Sequence, residues 1–288
     1  MGFFASVNGV VTPAGEARVS VLDNGFTFGD SVYETLRTYG GRPFEWGRHL
    51  RRLRASAARL GFEVPLADDE LLRRTDAVLE RAANPESYIR MIVSRGVGDI
   101  SYHFERVAGP TVVIAAKPFP AYPDWHYREG IPVALVSVRR NHRRALDPAI
   151  KSSNLLNNVL AAREAQAGGA EEAVLLNQEG EIAEGASTNV FVVRGGTVLT
   201  PVLEAGILAG ITREVVLELA RGLGLPVREQ RVLPEDLTAA DEAFLTSTTR
   251  EAVPIRTVDG KPVGPVQPGP LTLRIVEAFR AYAPAHCA

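Results

Sequence analysis

Residues 147–158 read DPAIKSSNLLNN, and the lysine near their centre is out of character for the chain. Of 32 basic residues only three are lysines, Lys117, Lys151 and Lys261, so arginine serves wherever positive charge alone is wanted. Arginine stays protonated at physiological pH, whereas a desolvated lysine amine gives up its proton and can act as a nucleophile or a base. Scarcity alone leaves an ordinary lysine and a reactive one equally open. The surroundings add that Lys151 ends a strand-to-helix connection, with Ser152, Ser153 and Asn154 beside it as potential caps.

Outward from this stretch, the 288 residues are 45% apolar and carry a formal net charge of −2, enough for two compact domains with real cores. The balance of 32 basic against 34 acidic residues gives no electrostatic reason to expect nucleic acid or an acidic membrane as partner. The stretch RHLRRLRASAARL is basic, but its arginines interleave with leucines at helical spacing, as on a solvated helix face. A single cysteine, Cys287, excludes an internal disulfide framework and favours a cytoplasmic setting. No apolar run reaches membrane-spanning length, and no secretory signal is expected. MGFFAS meets the loose myristoylation pattern, which recurs by chance.

Residues 1–119 alternate strand-like and helix-like stretches: VSVLD, then VYETLRTYGG, then an amphipathic helix from about Trp46 to Leu60 closed by Gly61. A second helix is expected from Asp68 to near Asn84-Pro85, then strands SYIRMIVSRG, which alternates, and TVVIAAK, which reads as buried on both faces. The aperiodic, proline-rich PFPAYPDWHYREG places a connector at 120–130 between a small N-terminal α/β domain, 1–119, and a larger C-terminal domain, 131–288. The larger part offers strand IPVALVSV and a helix from about Asn154 to Gln166. Short strands AVLLNQEGEIAEG and NVFVVRGGTVLTP turn at NQEG and RGG. Helix ITREVVLELARGLG, strand DEAFLTS and a last helix after Pro270 complete the chain. The class is α+β, with mixed or antiparallel sheets and no internal repeat.

No glycine-rich nucleotide motif and no Cys/His metal spacing appear, and five scattered histidines form no triad pattern. Chemistry can instead come from Lys151, a carboxylate and several chain turns. In EIAEGASTNVF, Glu184 ends a strand before a tight loop; by itself it reads as a solvated turn residue. AGILAGITRE puts Gly210, Ile211 and Thr212 at a helix start suited to phosphate, though alone it is only a capped helix. FLTSTTRE ends a strand with four hydroxyl residues, Thr246, Ser247, Thr248 and Thr249, able to cradle an anion or simply to cap backbone. An amine, a carboxylate and phosphate donors together are what pyridoxal phosphate requires.

With these motifs in order, from FGDSVYETLR, HLRRL and SRGVGD through KSSNLLNN and AEGASTNVF to LAGITRE, FLTSTTRE and VDGKPVG, the chain resembles the class IV (fold type IV) pyridoxal-phosphate aminotransferases. That family holds branched-chain and D-amino acid aminotransferases and aminodeoxychorismate lyases. The resemblance implies two α/β domains with the cofactor at their interface. It implies Lys151 as the Schiff-base lysine and proton carrier, Glu184 as the partner of the pyridine nitrogen, and Arg52, Ile211, Thr212 and Thr248 around the phosphate. Leu208 would pack on the ring, Tyr33, Thr35, Tyr88 and Arg90 would line the substrate pocket, and Thr249 would lie in the turn that meets the substrate carboxylate. It further implies a homodimer, with the 97–107 loop of one copy closing the other's substrate side, and an amino acid and a 2-oxo acid as substrates.

The substrate signals conflict. Branched-chain enzymes usually carry tyrosine where this chain has Leu156, and KSSNLL and STN lean toward the D-amino acid enzymes. The RxH pair of those enzymes is missing from SRGVGDISYHFER, whose His103 and Arg106 read as loop-surface residues. Arg90 in YIR and the GVGD loop favour the branched-chain type, whereas Thr35 stands where the lyases have threonine. The expectation is a transaminase of branched-chain L-amino acids using 2-oxoglutarate, with aminodeoxychorismate lyase and D-amino acid transamination as alternatives.

Overall fold

The computed structural model describes residues 1–288, the side chain of Phe104 excepted. By internal packing the chain divides into two compact units, Met1–Pro120 with Ile150–Asn154 and Ala283–Ala288, and Ala121–Ala149 with Leu155–Tyr282. Residues 150–154 and 283–288, assigned from sequence to the C-terminal domain, therefore belong with the first unit.

The first unit holds strands β1 (Phe4–Val7), β2 (Val10–Pro13), β3 (Ser31–Tyr39), β4 (Arg42–Pro43), β5 (Ser87–Ser94) and β6 (Thr111–Pro118), with helices α1 (Asn24–Phe28), α2 (Trp46–Arg59) and α3 (Asp68–Ala82). The strands form one antiparallel sheet in the order β2-β1-β6-β5-β3-β4. Alternation decides its faces. Val32 and Leu36 of β3, Ile89, Met91 and Val93 of β5, and Val112 and Ile114 of β6 share a core with Leu50 and Leu53 of α2 and Leu71 and Val78 of α3. The intervening residues Tyr33, Thr35, Tyr88, Arg90 and Ile92 occupy the opposite face. β6 is consequently buried on one face and only half-buried on the other, not on both as its apolar run suggested.

Both long helices begin where their sequence predicts. The three acidic residues at the start of α3 complement the partial positive charge of its N-terminus. VSVLD forms no strand: Val19, Val21 and Leu22 are exposed, and Asp23 instead caps α1, its carboxylate accepting the Gly25 N–H at 2.8 Å.

The second unit contains α4 (Trp125–Arg128), β7 (Ile131–Leu135), α5 (Leu156–Ala167), β8 (Glu172–Leu176), β9 (Ile182–Gly185), β10 (Asn189–Arg194), β11 (Thr197–Pro201), α6 (Ile211–Gly222), β12 (Val227–Gln230), α7 (Pro234–Thr238), β13 (Glu242–Ser247), β14 (Glu251–Val258), β15 (Lys261–Pro262) and α8 (Pro270–Tyr282). Its mixed sheet runs β12-β11-β10-β13-β14-β7-β8-β9, with β15 beside β14. The pairs β11/β12, β14/β7 and β7/β8 are parallel. β14 went unread in the sequence because Pro254, which cannot donate to a ladder, interrupts it; the proline sits opposite Phe244 inside the sheet. Val190 and Val192 of β10, Leu245 of β13 and Val253 and Ile255 of β14 form the apolar centre of this unit. The architecture is α+β, as the element pattern implied.

Candidate active site

Lys151 owes its position to main-chain pairing. Its carbonyl accepts the Tyr33 N–H at 2.9 Å, the Ser153 N–H reaches the Ser31 carbonyl at 2.9 Å, and the Lys151 N–H donates to Ser56 Oγ on α2 at 3.2 Å. The segment thereby lies along the first half of β3. Asn154, next along, donates to the Gly29 carbonyl at 2.9 Å. With its backbone held on both sides, Lys151 carries Nζ to 4.5 Å from the centre of the Tyr33 ring.

Of the five substrate residues named from sequence, Tyr33, Thr35, Tyr88 and Arg90 come together on one face of the β3/β5 pair. In the β3/β5 register Thr35 lies opposite Arg90, so Tyr33, Thr35, Tyr88 and Arg90 share a face. The Arg90 guanidinium stacks 3.5 Å from the Tyr33 ring centre, and its Nη1 donates to Thr35 Oγ1 at 3.1 Å. Thr35 Oγ1 also meets the Tyr88 hydroxyl at 3.5 Å. Burial pushes the Tyr33 phenol up, but the charges of Lys151 and Arg90 outweigh it and set its pKa below the usual value.

One residue on, Glu34 points into the opposite face and is fully buried. Arg52 grips it with two parallel bonds, Nε to Oε1 and Nη2 to Oε2, both 2.7 Å, and His49 Nδ1 lies 2.7 Å from Oε2. Burial pushes the Glu34 carboxyl up; the Arg52 guanidinium and the His49 ring outweigh it and hold the group below the carboxylate range. Burial in turn lowers the His49 pKa against the pull of Glu34. Arg52, with only 12% of its side chain exposed, is not the solvated helix residue its neighbours suggest. Glu34 and His49 escaped the sequence reading. Their signal was a carboxylate at an inward position of β3, between Val32 and Leu36, and a histidine one helical turn before Arg52.

In the second unit Glu184 is buried on β9 and is no solvated turn residue. Arg140 Nε donates to its Oε1 at 2.7 Å, and the Leu208 N–H to its Oε2 at 2.9 Å, with the Asn189 amide at 3.4 Å. Arg140 is itself buried and also donates to Asn157 Oδ1 at 3.1 Å. Leu208 takes part through its backbone, since its carbonyl accepts from Asn189 Nδ2 at 3.1 Å. A side chain at Gly210 would place its Cβ 1.9 Å from Asn189 Oδ1, so this close approach requires glycine. Arg140 and Asn189 carry no local signal beyond their residue types; only long-range packing brings them to Glu184.

Gly210 caps α6 without any side-chain bond to the first turn, which contains Ile211 and Thr212. Thr212 Oγ1 is buried without a hydrogen-bond partner, and the same holds for Thr246 Oγ1. Such an orphaned hydroxyl beside free helical N–H groups fits a phosphate oxygen. Thr248 and Thr249 lie in the β13–β14 turn, where the Arg250 N–H donates to Ser247 Oγ at 3.1 Å and the Tyr122 hydroxyl donates to Thr249 Oγ1 at 3.2 Å. Buried Glu172, also missed in the sequence, accepts Ser187 Oγ–H at 2.8 Å and meets Arg250 at 3.4 Å, tying the loop after Glu184 to this turn. Burial pushes its carboxyl up against the Arg250 charge. His103 and Arg106 are exposed and pair with Glu105 and Asp99 on the surface.

In the first unit a lysine amine with a fixed backbone suits the aldehyde of pyridoxal phosphate; in the second a braced buried carboxylate and an orphaned hydroxyl at a helix start suit its pyridine nitrogen and its phosphate. Comparison with known proteins agrees. The family model described as Amino-transferase class IV matches residues 31–258. A branched-chain-amino-acid aminotransferase of Salmonella typhimurium is 36% identical over 280 residues, 94% of this chain and 90% of the relative. A D-alanine aminotransferase of Bacillus licheniformis is 34% identical over 274 residues, 95% of this chain and 94% of the relative. The crystal structure of the T.th. branched-chain amino acid aminotransferase complexed with N-(5'-phosphopyridoxyl)-L-glutamate superposes with a TM-score of 0.91 at 32% identity, covering 98% of this chain and 94% of that one. This chain belongs to the class IV aminotransferases, which are pyridoxal-phosphate-dependent enzymes.

Two outcomes follow from the buried groups. Glu34, titrating below its unfolded value in the folded state, contributes stability that is present above pH ~4.5 and lost as pH falls through its folded pKa. Glu34→Gln should therefore cost about 3 kcal/mol at pH 7 in urea unfolding, with the gap to wild type closing on acidification below pH ~4; a gap independent of pH would contradict the assigned charge. Thr212→Val should raise the melting temperature of cofactor-free protein by about 2–4 °C, because it removes an unsatisfied buried hydroxyl. The same change should weaken pyridoxal phosphate binding in a fluorescence titration, and unchanged affinity would remove Thr212 from the phosphate site.

Proposed function

We propose that the enzyme moves an amino group between a branched-chain L-amino acid and a 2-oxo acid such as 2-oxoglutarate. The observation that carries this reading is the cluster of Lys151 and Arg90 against the one ring of Tyr33: an amine for the chemistry with a fixed cation near it. Similarity to branched-chain enzymes supports the donor. A cation near the amine suits an acceptor that carries a second carboxylate.

Bound pyridoxal phosphate supplies an electron sink for the pair released at the substrate Cα. Lys151 Nζ carries the cofactor and moves the Cα proton. Glu184, braced by Arg140, the Leu208 amide and Asn189, holds the proton of the pyridine nitrogen. In this reading Arg52, the first-turn amides of Ile211 and Thr212, the Thr212 hydroxyl and Thr248 would hold the phosphate, and Leu208 would offer an apolar side chain to the ring. Tyr33, Thr35 and Tyr88 line the pocket, Arg90 meets the second carboxylate of glutamate, and the turn at Thr249 meets the α-carboxylate. D-amino acid transamination is the second reading, favoured by KSSNLL and by the similarity to a D-alanine aminotransferase.

The active form in this reading is a homodimer. Val19, Val21, Leu22 and Phe26 in the first unit and Leu156, Val159 and Leu160 along α5 are exposed apolar residues that a second copy would cover; a monomer mass at sedimentation equilibrium would contradict it. Among the described residues no helix is long and apolar enough to cross a membrane, and a lone Cys287 suits the cytoplasm, which cell fractionation checks.

The deciding experiment mixes the cofactor-loaded enzyme separately with L-leucine, D-alanine and aminodeoxychorismate while following the visible absorbance of the bound cofactor and pyruvate release. Rapid loss of absorbance with L-leucine is expected. Rapid loss with D-alanine alone would overturn the stereochemical assignment, and stoichiometric pyruvate from aminodeoxychorismate would make the enzyme a lyase. Glu184→Gln should lower turnover by about 10²-fold or more while the cofactor stays bound.

A further inference from the structure

We infer that Thr35 is the specificity-determining positioning residue of this enzyme: its hydroxyl fixes the Arg90 guanidinium over Tyr33, so that a dicarboxylate is selected over an apolar monocarboxylate. This rests on the transaminase reading above and assigns the origin of its acceptor preference.

Arg90 is half-buried on the outer face of β5, and among the described residues no carboxylate pairs with it. Its contacts are two neutral ones on β3, the Tyr33 ring at 3.5 Å and Thr35 Oγ1 at 3.1 Å. The cation is held in place without being neutralised. Immobilising an arginine costs rotamer freedom, and the protein meets that cost before any ligand arrives, which favours binding.

Stacking on the ring leaves the guanidinium free to rotate in its plane, whereas the bond to Thr35 fixes that rotation. The threonine is placed for this by register, directly opposite Arg90 across the β3/β5 pair, at a separation cross-strand side chains can bridge. Thr35 Oγ1 has two lone pairs and one proton, so it can accept from Arg90 and still bond Tyr88 Oη at 3.5 Å. One hydroxyl thus orders two pocket side chains. Lys151 Nζ lies 4.5 Å from the centre of the same Tyr33 ring, which places the fixed cation within one side chain of the reacting amine. A 2-oxo acid with a second, distal carboxylate meets a prepared partner there, and a branched aliphatic acid leaves that cation unpaired.

The test compares the cofactor-loaded wild type with Thr35→Val, which keeps the shape and removes the hydroxyl, and with Thr35→Ser, which keeps the hydroxyl. Calorimetric titration with glutarate and with isocaproate reads binding without turnover. For Thr35→Val, glutarate affinity should fall about tenfold relative to isocaproate, the size expected for one hydrogen bond to a charged group. Thr35→Ser should restore most of the ratio. In steady state the KM for 2-oxoglutarate should rise more than kcat falls. An unchanged glutarate-to-isocaproate ratio in Thr35→Val, with wild type preferring glutarate, would overturn this inference and leave the transaminase reading intact. Equal loss in the valine and serine variants would also overturn it, since it would mark a packing role. A wild type that favours neither acid would overturn the inference together with the assigned acceptor.

Discussion

A few hydrogen bonds at residues 151–153 fix the backbone of Lys151, the amine proposed to carry the cofactor. Lys151 has a flexible four-carbon stem, and an amine so mounted is useful as a base only when its backbone is fixed. The Tyr33 N–H, the Ser31 carbonyl and Ser56 Oγ supply that fixation from β3 and α2. The same bonds explain why Ile150–Asn154 belongs to the first unit although the chain on either side belongs to the second. Placing Nζ against Tyr33 and placing Arg90 on that same ring are then consequences of one strand, β3, and its register with β5.

Two buried carboxylates, Glu34 in the first unit and Glu184 in the second, meet the cost of burying charge in the same way. Removing an ion from water costs several kcal/mol unless partners replace the hydration. Glu34 receives a two-bond guanidinium fork and an imidazole, and Glu184 receives a guanidinium, a backbone amide and a side-chain amide. Such geometry orients the partner as firmly as the carboxylate itself. Arg52 is held on the inward side of β3 and Arg140 on β9, so the positions of both guanidiniums follow from the folds of their own units. Glu172 performs a comparable task between two loops, joining Ser187 to Arg250.

Much of this was legible in the sequence where local periodicity carries the information. α2, α3, α6 and β5 begin where spacing and capping residues place them, and alternation along β5 put Tyr88 and Arg90 on one face, while Tyr33 and Thr35 were joined to them only by the family resemblance. Pro254 hid β14, and apolar VSVLD imitated a strand but pairs only through an isolated bridge between Asp23 and Val97. The networks around the carboxylates were beyond local reading for a different reason. Arg140 and Glu184 are 44 residues apart, and Arg250 and Glu172 are 78 apart, so nothing in either neighbourhood names the other. Burial of Glu34 was recoverable in principle, because a carboxylate among inward-facing apolar residues must find a counter-charge. Substrate choice was least legible. It depends on how Thr35, Arg90 and Tyr88 meet across two strands, while the motifs nearby point to different members of the family.

The central claim is that the amine at position 151 carries the cofactor, and the scarcity of lysine makes it directly measurable. Borohydride reduction of the cofactor-loaded protein, followed by digestion and mass spectrometry, marks the lysine to which the cofactor is joined. The pyridoxyl mass increment should appear on the peptide containing Lys151 and on neither the Lys117 nor the Lys261 peptide. An increment on either of those two peptides, or none on protein that is active and retains its colour until reduced, would contradict the account.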